Sequence, residues 1–134
     1  MQVFDPIRKK LVALTPEERV RQALLQHLLR NLAYPADLIQ VEGSIMVGRL
    51  SKRCDIVVYS RQFQPLMIVE CKQPEVAISQ KVLDQVCRYN LALHVPYLLL
   101  TNGNNSLMLR VSEAEPHLTM LPAIPRYDEL CSNL

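Results

Sequence analysis

The stretch Pro65-Leu66-Met67-Ile68-Val69-Glu70-Cys71-Lys72 decides how this chain reads. Leu66 to Val69 are apolar at every position instead of every second one, the pattern of a central strand covered on both faces. Such a strand implies helices packed on the two sides of a sheet. The run then passes without a break into Glu70-Cys71-Lys72. Strand side chains alternate, so Glu70 and Lys72 share one face and Val69 and Cys71 the other. Charges at the end of so apolar a strand must be paired, hydrated or bound to a metal, because burying an ionised group alone costs several kcal/mol. The plainest account is an ion pair between Glu70 and Lys72.

The preceding segment adds a second carboxylate. Cys54-Asp55-Ile56-Val57-Val58-Tyr59 reads as a strand and Ser60 to Gln64 as the loop that returns it to Pro65. Pairing Asp55 with Glu70 places Tyr59 opposite Leu66, with a loop of allowed length. Two carboxylates at one point repel, and the usual remedy is a hard divalent cation with oxygen ligands such as Mg²⁺, which would hold them within about 6 Å of each other.

Working outward, Thr15-Pro16-Glu17-Glu18 is a helix start, with Thr15 as cap, Pro16 at the first helical position and Glu18 completing a capping box. Val20, Leu24, Leu25, Leu28, Leu29 and Leu32 form an apolar stripe to about Ala33, where Tyr34-Pro35 ends the helix. Leu38 to Val47 alternates as a strand, with a bulge expected at Gly43, and Gly48 to Arg53 reads as a basic turn. A second helix over 76–93 buries Val82, Val86, Tyr89 and Leu93. Pro96 to Thr101 is another buried strand, Asn102 to Asn105 a turn, and Ser106 to Val111 an edge strand. Residues 1–14 read as an arm whose Arg8, Lys9 and Lys10 face solvent, 15–112 as the core and 113–134 as an irregular wrap. The expected fold is α/β, a central mixed sheet flanked by helices in the order α-β-β-β-α-β-β, in a single domain.

Composition narrows the function classes. The chain has 134 residues, 49% hydrophobic and 21% charged, with three Gly and nine Pro, which excludes disorder and collagen-like repeats. A formal charge of +2 is weak evidence for any polyanionic partner by itself. No apolar run nears the roughly 18 residues of a membrane span, and Asp5, Arg8, Lys9 and Lys10 stand where a signal peptide would be apolar, so a cytoplasmic, non-membrane protein is expected. Cys54, Cys71, Cys87 and Cys131 lack the paired spacings of zinc sites and read as reduced apolar residues. His27, His94 and His117 are scattered and receive no role. Gly-rich phosphate loops and serine-nucleophile motifs are absent.

Asp55, then Glu70-x-Lys72 on the next strand, resembles the PD-(D/E)xK nuclease motif, and Gln85-x-x-x-Tyr89 on the following helix is similar to the QxxxY extension of its RecB-like branch. More closely, the stretch Thr15 to Gln22, Arg53-Cys54-Asp55-Ile56-Val57, Val69-Glu70-Cys71-Lys72 and Thr101-Asn102-Gly103 together resemble the N-terminal nuclease domain of type I restriction enzyme R subunits, over about Val3 to Val111. Cys54 stands where the motif has Pro. An R subunit joins this domain to a helicase motor, and no motor motif occurs here, so the resemblance does not imply translocation.

The resemblance implies a restriction-endonuclease-like core and Mg²⁺-dependent hydrolysis of DNA, with Mn²⁺ as a substitute. Asp55, Glu70 and the backbone carbonyl of Cys71 would be the metal ligands, and Lys72 would position or deprotonate the attacking water. Glu17 is favoured over Glu18 as an acidic residue offered by the first helix, since Glu18 is explained by the cap. Gln85 would join the catalytic group; four residues apart, it and Tyr89 share one helical face. Arg21, Arg49, Lys52, Arg53 and Tyr89 are the candidate nucleic-acid contacts, against the alternative of a solvated turn for the basic cluster and of core packing for Tyr89. The expected partners are DNA and the recognition or motor subunits of a restriction system, with a homodimer left open. A catalytically inactive nuclease fold kept for DNA binding or assembly is the rival reading, and a purely structural domain is disfavoured by five motif residues falling in order.

Overall fold

The computed structural model describes residues 1–115 and 117–134, with the side chains of Val47, Tyr89, Leu91 and Ala92 left aside. Its centre is a six-stranded mixed sheet in the order β3-β4-β5-β6-β7-β8. The strands are β3 (Ile39–Val47), β4 (Leu50–Tyr59), β5 (Pro65–Cys71), β6 (Tyr97–Thr101), β7 (Ser106–Val111) and β8 (Leu118–Leu121). Every neighbouring pair is antiparallel except β5 and β6. That one parallel pair is joined by the helix α2 (Gln80–Leu93), as a crossover between parallel strands requires.

The continuous apolar run of β5 is explained by two separate cores. Met67, Val69 and Cys71 pack under α1 (Pro16–Gln26), with its Val20, Leu24 and Leu25, while Ile68 packs under α2 with Val86, Cys87 and Leu93. α1 begins as expected: the backbone N–H of Glu18 donates to Thr15 Oγ1 at 3.1 Å, and Pro16 occupies the first turn. Its last turn widens into a π-helical turn over His27–Asn31 before Ala33 turns left-handed. α2 starts at Gln80, later than the expected residue 76, because Ser79 is the residue that caps it, accepting from the N–H of Val82 at 3.3 Å.

Four sequence expectations are corrected. The N-terminal arm is a two-stranded hairpin, β1 (Gln2–Asp5) against β2 (Lys10–Ala13). Its loop is held by Asp5 Oδ1, which accepts the backbone N–H groups of Ile7 and Arg8 at 2.7 Å each, an Asx-type turn. The β3–β4 turn is only Gly48-Arg49, with Gly48 at φ 60, so Lys52 and Arg53 lie in the strand. No bulge occurs at Gly43, since the register runs unshifted from Val41↔Ile56 to Gly43↔Cys54. Lastly, β7 is not at the edge. Leu118–Leu121 pairs with it, and the tail ends in α3 (Tyr127–Ser132), whose Tyr127 and Leu130 are fully buried. The Tyr127 hydroxyl donates to the Tyr59 carbonyl at 2.8 Å and its ring meets Tyr34 edge-on at 5.4 Å. Among the described residues no helix is long and apolar enough to cross a membrane.

Candidate functional site

The β4–β5 register is Ile56↔Val69, Val57↔Ile68 and Val58↔Met67, which, carried one step further, sets Asp55 opposite Glu70. A bulge between Val58 and Tyr59 then puts Tyr59 opposite Pro65 instead of Leu66. At Asp55 the sheet does something that alternation alone would not give. Val41 and Ile56 belong to the core under α1, yet Ile45 and Cys54, an even number of residues further along each strand, belong to the core under α2. Both strands therefore change face between these points. Glu42, the residue that lies across from Asp55 in the register, takes φ 56, a left-handed conformation that costs energy in a residue with a side chain. The kink leaves the Asp55 carboxylate reachable from both sides of the sheet.

On one side it meets helix α1. Arg21 donates to Asp55 Oδ1 at 3.1 Å, while the backbone N–H of Cys71 donates to Oδ2 at 2.7 Å. Glu17 also reaches Asp55, and burial together with the Asp55 charge lifts the Glu17 carboxyl above its ordinary range despite Arg21 nearby. On the other side Asp55 is in side-chain contact with Glu70. Burial is the main reason that the Glu70 carboxyl titrates above its ordinary value; the Lys52 ammonium opposes the shift and the Asp55 charge adds to it. Lys52 Nζ stands 3.1 Å from Glu70 Oε1.

Glu70 opens into a cavity of about 270 Å³ that Lys52, Lys72 and Gln85 also line, with Val76, Val82 and Val86 as its apolar wall. Lys72 follows the end of β5, where its backbone N–H donates to the Thr101 carbonyl at 2.8 Å. The structure thus brings together Asp55, Glu70, Glu17, Lys72, Lys52 and Gln85. It does not bring the basic cluster together as one patch. Lys52 turns to Glu70, Arg53 is exposed and lies 3.9 Å from Glu42, and Arg49 is exposed at the hairpin tip. Arg21 is buried and directed onto carboxylates. The side chain of Tyr89 lies outside the described residues.

Residues 16–125 match the family model described as the type I restriction enzyme R protein N terminus. The chain belongs to this family. The same fold occurs in a fragment of a candidate HsdR subunit of a type I restriction enzyme from Vibrio vulnificus YJ016, at 21% identity and TM-score 0.62 over 90% of this chain. This chain spans 25% of that one. It occurs also in a candidate nuclease of the DUF820 group from Anabaena variabilis ATCC 29413, at 13% identity and TM-score 0.55, over 99% of this chain and 84% of the other. A search of curated proteins finds no match.

In this member of the R-protein family, sequence reasoning missed the charge network behind Asp55. Asp5 holds Arg8 at 2.8 Å, Arg8 holds Glu18 at 2.7 Å, Glu18 holds Arg21 at 2.9 Å, and Arg21 holds Asp55. Gln22 bridges the first and third members, donating to Asp5 at 2.8 Å and Glu18 at 3.2 Å. Arg8, expected in solvent, is a link in this chain because Glu18 and Asp5 are buried and need a cation. The only sequence signal was an excess of polar residues, Glu18, Arg21 and Gln22, on a helix that otherwise buries leucines.

The donor chemistry fits a hard cation. Asp55 and Glu70 supply carboxylate oxygens in contact with each other; burial first, and the Asp55 charge after it, make the ionised Glu70 unfavourable, a cost that added positive charge offsets. Among the described residues no three His, Cys, Asp or Glu side chains form a ready-made cluster. The two carboxylates supply oxygen donors, and a set of oxygens completed by water suits Mg²⁺ better than a softer metal.

Proposed function

We propose that this chain is a divalent-cation-dependent nuclease domain that hydrolyses phosphodiester bonds in DNA, using Mg²⁺ or in its place Mn²⁺, within a restriction assembly whose other subunits supply recognition or movement. The observation that carries this reading is the contact between Asp55 and Glu70 at the kink, beside a cavity that Glu70 and Lys72 share. Asp55, Glu70 and the Cys71 carbonyl would hold the cation. When bound, it supplies charge stabilisation at the phosphoryl group and makes a nearby water more acidic.

The chain's own residues do the rest. Lys72, acting as a neutral amine, holds the attacking water by a hydrogen bond and takes its proton as the water oxygen bonds to phosphorus. The bond to the 3′ oxygen breaks, and that oxygen is protonated from solvent. Gln85, exposed on the cavity wall, offers its amide to a phosphate oxygen. Glu17 stands against Asp55 as a third acidic group able to orient water. Arg49 and Arg53, both exposed, are placed to meet flanking phosphates.

The rival reading, a nuclease fold that binds DNA or assembles without cutting, draws support from the protein cations already on both carboxylates. Plasmid DNA incubated with the protein and candidate restriction partners in Mg²⁺ and in EDTA separates the two. Cleavage that needs Mg²⁺ and is lost in Asp55→Asn is the expected result. Intact plasmid with every divalent ion, alongside measurable DNA binding, leaves the binding module.

A further inference from the structure

Lys52 and the proposed cation need the same carboxylate. The Lys52 ammonium lies 3.1 Å from Glu70 Oε1, an oxygen of the carboxylate that the nuclease reading gives to the metal. Oε1 is buried and, among the described residues, takes no hydrogen bond of good geometry. Its contact with Lys52 joins opposite charges, and another positive charge can take the place of the ammonium. A divalent ion at Asp55 and Glu70 would also repel the ammonium at this range.

The backbone gives Lys52 somewhere to go. Its segment of β4 is paired with β3, Lys52 lying opposite Ile45, whereas the registered pairing of β4 with β5 begins only at Ile56. Lys52 thus reaches Glu70 from a two-stranded ribbon, on a flexible four-carbon stem. Its cavity also contains Lys72 and Gln85, the groups placed around the phosphate in the nuclease reading. Lys72 differs in being tied at the strand end through its N–H bond to Thr101.

We propose that Lys52 exchanges partners, neutralising Glu70 until a divalent cation takes that carboxylate and then gripping the DNA backbone beside the cleaved bond. The proposal rests on the nuclease reading of Asp55 and Glu70. Cation binding and DNA binding are then coupled through one side chain, and each strengthens the other by the same factor.

Two titrations of Lys52→Met test this: Mn²⁺ by calorimetry without DNA, and a short duplex by fluorescence anisotropy in Ca²⁺ and in EDTA. Melting in EDTA first establishes that the variant is folded. Freed of its competitor, Glu70 should bind Mn²⁺ roughly 1.5-fold to fivefold more tightly, the range of a partly exposed ion pair. The gain in duplex affinity on going from EDTA to Ca²⁺ should shrink by a similar factor, and Lys52→Arg should restore it. Unchanged or weaker Mn²⁺ binding in Lys52→Met, or an undiminished gain with Ca²⁺, overturns the exchange while leaving the metal site standing. Wild type that takes up no Mn²⁺, or takes it up equally after Glu70→Gln, removes the metal reading and the exchange with it.

Discussion

Replacing Arg21 with Met should cost this domain about 3 kcal/mol, the low end of the roughly 3 to 5 kcal/mol for breaking a buried ion pair from one side. Arg21 is 5% exposed, and its guanidinium lies 2.9 Å from Glu18, 3.1 Å from Asp55, 3.5 Å from Glu17 and 3.7 Å from Glu42. Met keeps much of the volume and apolar stem, so the loss reports charge more than packing. The low end applies because neither main partner is left bare. Glu18 keeps Arg8 at 2.7 Å, and Asp55 keeps the Cys71 N–H at 2.7 Å. For a domain of this size 1 kcal/mol corresponds to about 3 to 5 °C, so the melting point should fall by roughly 10 to 15 °C. Urea unfolding followed by circular dichroism, with an unchanged slope, gives the free energy directly. Adding Asp55→Asn to Arg21→Met removes one of the stranded charges and should recover about 1 kcal/mol of the loss, a coupling ordinary for residues in contact. A loss below about 1 kcal/mol, or strict additivity with Asp55→Asn, would refute the claim that Arg21 is held by these carboxylates.

Glu70→Gln should raise the melting point in EDTA at neutral pH. The folded carboxyl titrates above its ordinary 4.5, so its stabilising contribution is complete below that value and is lost as pH rises through the folded value. The advantage of Gln should therefore fade as pH falls toward 4.5, as melting curves across pH will show. Millimolar Mn²⁺ should raise the melting point of the wild type, by about 2.7 kcal/mol equivalent at a hundredfold excess over the dissociation constant, and leave Asp55→Asn unmoved. Tyr127→Phe, which deletes the donor to the Tyr59 carbonyl, should cost about 1 kcal/mol in urea unfolding; no cost would mean that the tail helix is not locked to the sheet as described.

Much of the sheet was legible because its signals are local. The run from Leu66 to Val69 marked the buried strand, and the register that sets Asp55 across from Glu70 followed from two strands and one loop. The Thr15 cap and the Asn102 turn were written in adjacent residues. The change of face at Asp55 was not legible, since it depends on the backbone of Glu42, a residue whose type gives no warning of φ 56. Nor was the chain from Asp5 to Asp55, whose partners lie up to 34 residues apart and meet only once α1 is laid on the sheet. The basic cluster before Asp55 misled for a related reason. Neighbours in a strand point to opposite faces, so Lys52 and Arg53 were bound to part company as soon as the turn proved to be Gly48-Arg49 alone. The tail misled because Pro116, Pro122 and Pro125 hid a four-residue strand and one short helix.

The most direct test of the nuclease account is the single-turnover cleavage rate of duplex DNA by wild type and Lys72→Ala, in Mn²⁺ with candidate restriction partners present and with Mn²⁺ binding measured on the same samples. Lys72 is not a ligand, so the account predicts unchanged Mn²⁺ binding, slightly weaker DNA binding and cleavage slowed by roughly 10² to 10⁴-fold, the range for a positioned acid or base. Cleavage by Lys72→Ala at the wild-type rate, or no cation-dependent cleavage by the wild type itself, would contradict it.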